Sequence, residues 1–228
     1  MAPKRWIPLE SNPDVLTKFG HALGLSPMMS FCDVWSLDLL DMVPSPRYAV
    51  ILLFPLTEKI LAAEAKAAAQ QETDLSKQPF FCKQTIGNAC GTIAVLHAAL
   101  NTLSDAFPLQ DGSFFHKFLH KSKDMNPSQR AAALQEDETL DSVHEEFAQQ
   151  GQTTAPNANE KVDVHFICFV EHDGVLYELD GRKDTPVNHG STTPAAVLQD
   201  SATVIKEKFM ALDPAENRFT ILALTMGQ

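Results

Sequence analysis

Two long apolar stretches of the chain predict the centre of the fold. Residues 48–54 are apolar over the length of a strand and end at Pro55, which is typical of a strand covered on both faces. Residues 88–103 are apolar almost all round, which predicts a buried helix with Asn88 as its N-cap. We therefore expect a central strand and a core helix packed against the sheet.

Shorter patterns predict the other elements. Asn12-Pro13 and the helical spacing after it predict a first helix that ends before Pro27. Asp173-Gly174 separates two strand-like runs and indicates a hairpin. The remaining predictions are helices over 57–71, 113–120, 127–135 and 193–210, and strands over 162–170, 175–179 and 218–225. This irregular alternation, with at least one antiparallel pair, is typical of a mixed α and β fold with helices packed on a sheet.

One polar stretch, residues 147–161, contains Gly151 and Pro156 but no core pattern. Connections of this length in compact domains are usually functional or disordered. The stretch is therefore predicted to be an exposed loop that could act as a lid.

Composition limits the partners that the protein could have. With 228 residues, of which 44% are hydrophobic, the chain can form one domain over residues 1–228. Its net charge of -11 argues against binding to nucleic acid or to anionic membranes and favours a basic partner, although acidity also serves solubility alone. Because no stretch resembles a secretory signal or a membrane span, we expect a cytoplasmic protein, with the nucleus as a second location. The four cysteines are unclustered and predict reduced thiols.

Cys90 falls in the first turn of the predicted core helix. The helix dipole and the unpaired backbone N–H groups there favour a thiolate. Gln84, six residues upstream, could bring its amide beside the Cys90 backbone N–H around a developing oxyanion. The pattern thus favours a nucleophile, while a small core cysteine and an ordinary loop glutamine remain the alternative.

Among the eight histidines, His165 is distinguished by the hairpin register. A two-residue turn at 173–174 sets Ile167 opposite Asp180 and makes Asp180 the diagonal neighbour of His165. This pairing predicts a triad in which Asp180 orients His165, and His165 serves Cys90 as the base. A strand-end histidine and an unrelated turn aspartate are the alternative.

The other histidines are predicted to be bystanders. His97 lies two turns along the core helix, too far from Cys90 for a hydrogen bond. His116 and His120 have the spacing of metal ligands, but no carboxylate accompanies them in the sequence, which favours an exposed helical face. We therefore predict no metal and no cofactor.

Residues 84–92 (QTIGNACGT) resemble the active-site stretch of the ubiquitin C-terminal hydrolases. The resemblance extends over almost the whole chain and is to the short, single-domain members of that family. Its other matching segments are residues 5–13 (RWIPLESNP), 54–59 (FPLTEK), 160–166 (EKVDVHF) and 176–183 (LYELDGRK).

The resemblance implies a papain-like α+β cysteine peptidase fold, with a mostly antiparallel central sheet, helices on both sides and a knotted backbone. It implies hydrolysis at the C-terminal glycine of ubiquitin, with the four catalytic positions occupied by Gln84, Cys90, His165 and Asp180. It also identifies residues 147–161 as an active-site crossover loop. Because substrate must thread beneath such a loop, small or unfolded leaving groups should be preferred.

The resemblance also predicts how the partner is bound. Four residues match positions associated with ubiquitin contact, namely Leu9, Glu10, Asp14 and Asp33. An acidic approach surface would attract the basic tail of ubiquitin. We expect a monomer. Two alternatives remain open, a ubiquitin-binding or ubiquitin-stabilising protein with slow hydrolysis, and a hydrolase of a ubiquitin-like modifier.

Overall fold

The computed structural model describes residues 4–68, 78–104, 106–160 and 162–227. Within these ranges the chain forms an α+β fold built on one six-stranded sheet, in the order β1-β6-β2-β3-β4-β5, with every adjacent pair antiparallel. The strands are β1 Met29–Asp33, β2 Arg47–Pro55, β3 Val164–His172, β4 Val175–Leu179, β5 Val187–Ser191 and β6 Thr220–Met226. The helices are α1 Pro13–Leu23, α2 Glu58–Ala68, α3 Cys90–Asn101, α4 Phe114–Lys121, α5 Pro127–Gln135, α6 Glu138–Ala148 and α7 Val197–Lys208.

Two hydrophobic clusters cover the two faces of the sheet. Because successive side chains of a strand point to opposite faces, Ile51 of β2 joins one cluster while Leu52 joins the other. The first cluster includes buried side chains of α1, α3, α4, α5 and α6, and the second includes buried side chains of α2 and α7. The predicted arrangement of helices on both sides of an antiparallel sheet is confirmed.

The predicted core is also confirmed. β2 pairs with β3 on one side and with β6 on the other, so it is central to the sheet. In α3 every residue from Cys90 to Leu100 is buried, which explains why that stretch is apolar almost all round.

The predicted N-cap of α3 is wrong. Ala89 occupies the cap position, and no side chain caps the helix there. Asn88 has a left-handed backbone, with φ of 62°, and its Nδ2 donates to the carbonyl oxygens of Trp6 (2.9 Å) and Ala158 (3.0 Å). The side chain therefore joins neighbouring segments and is not available to the helix.

Several other predicted element boundaries differ from the observed ones, mostly where the elements are rich in polar residues. α6 is polar on all but one face, so its sequence pattern does not indicate a helix, and the predicted start of the loop at Phe147 lies inside it. The last helix begins at Val197 and not at residue 193, since residues 194–196 form a turn. The edge strands β1 and β5 are short and half polar, and they were missed. α2 is described to Ala68, and the predicted continuation to residue 71 lies outside the described residues.

The hairpin that carries the predicted base has the predicted register. β3 and β4 are paired from His172 and Val175 at the turn to Cys168 and Leu179 at the far end. Asp180 follows directly, which brings it to the side of the sheet where His165 lies. Of the helices in the described ranges, none has the length and apolar character needed to cross a bilayer.

Candidate active site

Cys90 is the first residue of α3 and is 8% exposed. The start of the helix is wedged between the N-terminal segment and β3. A Cβ atom added to Gly91 would lie 3.2 Å from Leu9 Cβ and 3.5 Å from Phe166 Cδ2, which is close contact on both sides. This packing fixes the thiol next to His165, the neighbour of Phe166 in β3.

His165 and Asp180 form the pair that the hairpin register predicts. His165 Nε2 lies 2.7 Å from Asp180 Oδ1, and both side chains are buried. The Asp180 carboxylate also accepts hydrogen bonds from Arg182, through the backbone N–H to Oδ1 (2.9 Å) and through Nη2 to Oδ2 (2.8 Å). Burial alone would raise the pKa of Asp180, but the contacts with His165 and Arg182 outweigh it and hold that pKa far below its usual range.

The negative charge of Asp180 affects the pKa of His165, and His165 in turn affects the pKa of Cys90. Burial lowers the pKa of His165, yet hydrogen bonds to Asp180 and Cys90 raise it to about 9. At Cys90 burial raises the thiol pKa, but the hydrogen bond and the charge of His165, together with backbone N–H groups of Phe166 and Gly91, lower it overall. The geometry therefore favours a thiolate–imidazolium pair near neutral pH.

Gln84 is held against the residue that follows Asp180. Its backbone N–H donates to the Gly181 carbonyl oxygen at 2.8 Å. A Cβ on Gly181 would lie 2.9 Å from Gln84 Cβ and 3.0 Å from Ile93 Cγ2, so only glycine permits this approach. Gln84 Nε2 donates one of its two hydrogens to the Ile86 carbonyl oxygen (3.1 Å), which leaves the second for another acceptor.

A groove of about 220 Å³ opens at Cys90. One wall is residues 8–11 of the N-terminal segment, and the floor includes Leu53 of β2 and Phe166 of β3. The opposite wall comes from the polar loop after α6, through Gly151, Thr153, Ala155 and Pro156. The predicted crossover loop thus lines the groove at the thiol.

The four predicted partner contacts fall in two places. Leu9 is buried in the groove wall, and Glu10 beside it accepts hydrogen bonds from the loop. Asp14 is exposed on the first turn of α1, and Asp33 is half-buried at the end of β1. Burial and the nearby charge of Asp14 raise the pKa of Asp33, and neither acid lines the groove.

Three carboxylates next to the site come together as metal ligands would. Glu64, Glu178 and Asp180 offer oxygens within 4.8 Å of one another. Arg182 pairs with Glu64 and Asp180, while Lys183 pairs with Glu178, so the protein's own cations compensate this cluster.

The two histidines with metal-ligand spacing differ from the sequence interpretation in one respect. A carboxylate does accompany them, because Asp111 Oδ1 lies 3.5 Å from His116 Nε2. The ring centroids of His116 and His120 are 4.7 Å apart, and His120 is exposed. Asp111 was overlooked because it lies in the turn before α4, outside the helical spacing.

Two residues that support the site were missed from the sequence. Arg182 holds the Asp180 carboxylate, and Asn88 joins the N-terminal segment to the loop. A basic residue two positions after the predicted triad aspartate was a usable signal for Arg182. Asn88 could have been suspected because asparagine is enriched among residues with a left-handed backbone.

Comparison with known proteins agrees with this geometry. The sequence model described as ubiquitin carboxyl-terminal hydrolase, family 1, matches residues 6–211. Ubiquitin carboxyl-terminal hydrolases of Drosophila melanogaster and Aplysia californica are each 45% identical to this chain. The first alignment covers 98% of both proteins, and the second covers 92% of this chain and 97% of the relative. The isozyme L1 of Rattus norvegicus is 40% identical, over 95% of this chain and 96% of the relative.

Solved structures show the same fold. The catalytic domain of Trichinella spiralis UCH37, crystallised with ubiquitin vinyl methyl ester, superposes with a TM-score of 0.80 at 25% identity, covering 100% of this chain and 98% of that one. From the family match, the relatives and the shared fold, the chain belongs to family 1 of the ubiquitin carboxyl-terminal hydrolases.

Proposed function

We propose that Cys90, His165, Asp180 and Gln84 carry out the deubiquitinating hydrolysis that defines this protein's family. Membership makes the protein a cysteine-type ubiquitinyl hydrolase. The single observation that carries the assignment of residues is the continuous chain of contacts from Asp180 through His165 to Cys90, at the mouth of a groove. This arrangement supplies an ionised nucleophile and an oriented acid and base in one place.

The proposed reaction has two steps. The Cys90 sulfur bonds to the carbonyl carbon of ubiquitin's last glycine, the bond to the leaving group breaks, and protonated His165 gives its proton to the departing atom. His165 then takes a proton from water, the resulting hydroxide attacks the thioester, and the Cys90 thiolate departs as ubiquitin's carboxyl group forms. Asp180 keeps the imidazole oriented and stabilises its charged form throughout.

Gln84 is the proposed oxyanion stabiliser. The amide hydrogen that Ile86 does not use, together with the Cys90 backbone N–H at the start of α3, can receive the negative charge on the carbonyl oxygen. Donors that meet a charge present only in the transition state accelerate the reaction without tightening substrate binding.

Ubiquitin is the proposed partner, with its extended tail in the groove below the loop. The structural neighbour crystallised with a ubiquitin ester supports this choice. Asp14 and Asp33, which do not line the groove, would attract the basic tail during its approach and not in its bound position. A groove of about 220 Å³ under a loop favours small or unfolded leaving groups. We also propose that residues 1–228 act as one catalytic domain and as a monomer, in the cytoplasm or nucleus.

Turnover of ubiquitin carrying a fluorogenic amide at its C-terminus tests the proposal. The wild-type protein should turn over many equivalents, and Cys90→Ala should not. A single turnover or mere binding would favour the ubiquitin-binding alternative. Faster hydrolysis of a ubiquitin-like modifier in a parallel assay would change the substrate assignment.

A further inference from the structure

The loop after α6 is fixed to the N-terminal segment by the Glu10 carboxylate. Both oxygens of Glu10 are used: Oε1 accepts from the backbone N–H of Gln152 (3.0 Å), and Oε2 accepts from the backbone N–H of Thr153 (2.9 Å) and from the Thr153 hydroxyl. One side chain therefore holds two consecutive residues of the loop.

Gly151, the residue before this contact, packs directly on Glu10. A Cβ atom on Gly151 would lie 2.8 Å from Glu10 Cδ, closer than real Cβ contacts occur. The glycine thus allows the loop backbone to come within hydrogen-bonding distance of the carboxylate. We call the contact of Glu10 with residues 151–153 the loop latch.

A second attachment holds the other end of the loop. The Ala158 carbonyl oxygen accepts from Arg5 Nε (3.1 Å) and from Asn88 Nδ2 (3.0 Å). Between the two attachments the chain passes along the groove, where Ala155 and Pro156 form part of the wall. Because both ends are fixed, the size of the opening depends on whether the attachments persist.

We propose that Glu10 is a specificity-determining residue that sets the size of leaving group the enzyme accepts, by holding the crossover loop over the groove. This role rests on the proposed function, and it differs from that of a contact with ubiquitin. The Glu10 carboxylate accepts three hydrogen bonds from the loop and a fourth from Asn12 Nδ2, which leaves it little capacity for a basic partner. Asp14, which is exposed on the first turn of α1, is the matched acid that retains this capacity.

The two roles predict different kinetics. Loss of a ubiquitin contact lowers kcat/KM by the same factor for every ubiquitin substrate, since the leaving group is not involved. Release of the latch raises kcat/KM for a bulky leaving group relative to a small one. The ratio between two substrates that share ubiquitin therefore separates the roles.

The experiment compares ubiquitin with a small fluorogenic amide leaving group and ubiquitin joined through its C-terminus to a folded protein. In Glu10→Ala the ratio of kcat/KM for the folded to the small leaving group should rise about tenfold. Gly151→Ala should raise the ratio in the same direction, because it displaces the loop without removing a charge. Asp14→Ala should lower both values equally and leave the ratio at the wild-type value.

Amide hydrogen exchange supplies a readout that needs no substrate. Exchange at Gln152 and Thr153 should accelerate about tenfold or more in Glu10→Ala and stay unchanged in Asp14→Ala. An unchanged ratio, or unchanged exchange at these two amides, would overturn the loop latch. Failure of the wild-type protein to hydrolyse the small amide would instead overturn the proposed function, and the specificity role with it, whatever the exchange shows.

Discussion

Two cysteine–histidine pairs each include one residue of α3, Cys90 in the first pair and His97 in the second. In only one of these pairs are the pKa values shifted towards the charged forms. At the start of the helix Cys90 meets His165. Two turns further on, His97 Nε2 accepts the backbone N–H of Cys82 at 3.0 Å, and both of these residues are fully buried. Burial raises the pKa of Cys82 to about 12 and lowers that of His97 to about 4, whereas the pKa of Cys90 is lowered and that of His165 rises to about 9.

The difference comes from Asp180. Its carboxylate lies 2.7 Å from His165, while the His97 ring accepts a hydrogen bond from the Cys82 backbone N–H and its Nδ1 has no partner among the described residues. In a buried site a full negative charge can outweigh desolvation of the imidazolium, but backbone dipoles at His97 do not. Cys90 also has the start of α3 beside it, where N–H groups favour a thiolate. A buried cysteine near a histidine is thus not in itself a reactive pair.

The largest difference in kcat/KM should appear when each of the two cysteines is replaced by alanine in a separate variant. Cys90→Ala removes the nucleophile and should lower kcat/KM for the fluorogenic ubiquitin amide by about 10⁴-fold or more. Cys82→Ala should change kcat/KM less than about threefold and cost about 1 kcal/mol in the free energy of unfolding, because a small buried group is lost. If Cys82→Ala were as inactive as Cys90→Ala and equally well folded, the claim that only the Cys90 pair is catalytic would be wrong.

Removing the charge of Asp180 should shift the pKa values of Cys90 and His165 towards those of the buried pair Cys82 and His97. Asp180→Asn keeps the size but removes the charge, so the pKa of His165 should fall and that of Cys90 should rise. We expect kcat/KM to fall by about 10³–10⁴-fold at neutral pH, with the rising limb of the pH profile moved to higher pH. Asp184→Asn is the matched control, since that side chain is 89% exposed and forms its ion pair with Lys83, away from the triad. An Asp180→Asn profile with the wild-type midpoint would contradict the role of the carboxylate.

Gln84 should affect the rate more than binding. Gln84→Ala removes one oxyanion donor and should lower kcat by about 10²–10³-fold with little change in KM. Steady-state kinetics with the fluorogenic amide separate the two constants. A rise in KM at constant kcat would show that Gln84 binds the ground state and not the transition state.

His97 should make the free energy of unfolding depend on pH. The pKa of His97 is about 4 in the folded protein and near 6.5 when unfolded, so the unfolded state takes up the proton first as pH falls. The free energy of unfolding should therefore drop by about 2 kcal/mol from this residue between pH 7 and pH 5. His144, whose pKa is also about 4, acts in the same direction.

His165, with its raised pKa, contributes stability that is present at low pH and is lost as pH rises through about 9, so it opposes the decline caused by the two neutral histidines. Urea unfolding at several pH values measures the net slope. His97→Gln should reduce the slope by about one proton, whatever its effect at neutral pH. A wild-type stability that is flat from pH 7 to pH 5 would mean that His97 is not held neutral.

The part of the site that depends on local rules could be predicted from the sequence. A two-residue Asp-Gly turn fixes hairpin register, which is why the contact of His165 with Asp180 followed from counting residues. The position of Cys90 in the first turn of α3 was also right, although the capping residue was wrong. β2 and α3 were evident because buried elements are apolar on all sides.

What could not be predicted depends on contacts between distant segments. The hydrogen bonds of Asn88 and the attachment of the loop to Glu10 each join parts of the chain whose proximity the sequence does not encode locally. α6 was missed because it buries a single face, and a polar helix resembles a loop in pattern. The knotted backbone implied by the resemblance stays a prediction.

The central claim is that Cys90 is already a thiolate before substrate arrives, because His165 and Asp180 hold it so. Titration of the ultraviolet absorbance of thiolate, taken as the difference between wild-type protein and Cys90→Ala, measures this state directly. The account predicts one thiolate that forms below the ordinary pKa range of cysteine, and its displacement to higher pH in Asp180→Asn. A difference signal that appears only near the ordinary cysteine pKa of about 8.5, unaffected by Asp180→Asn, would contradict it.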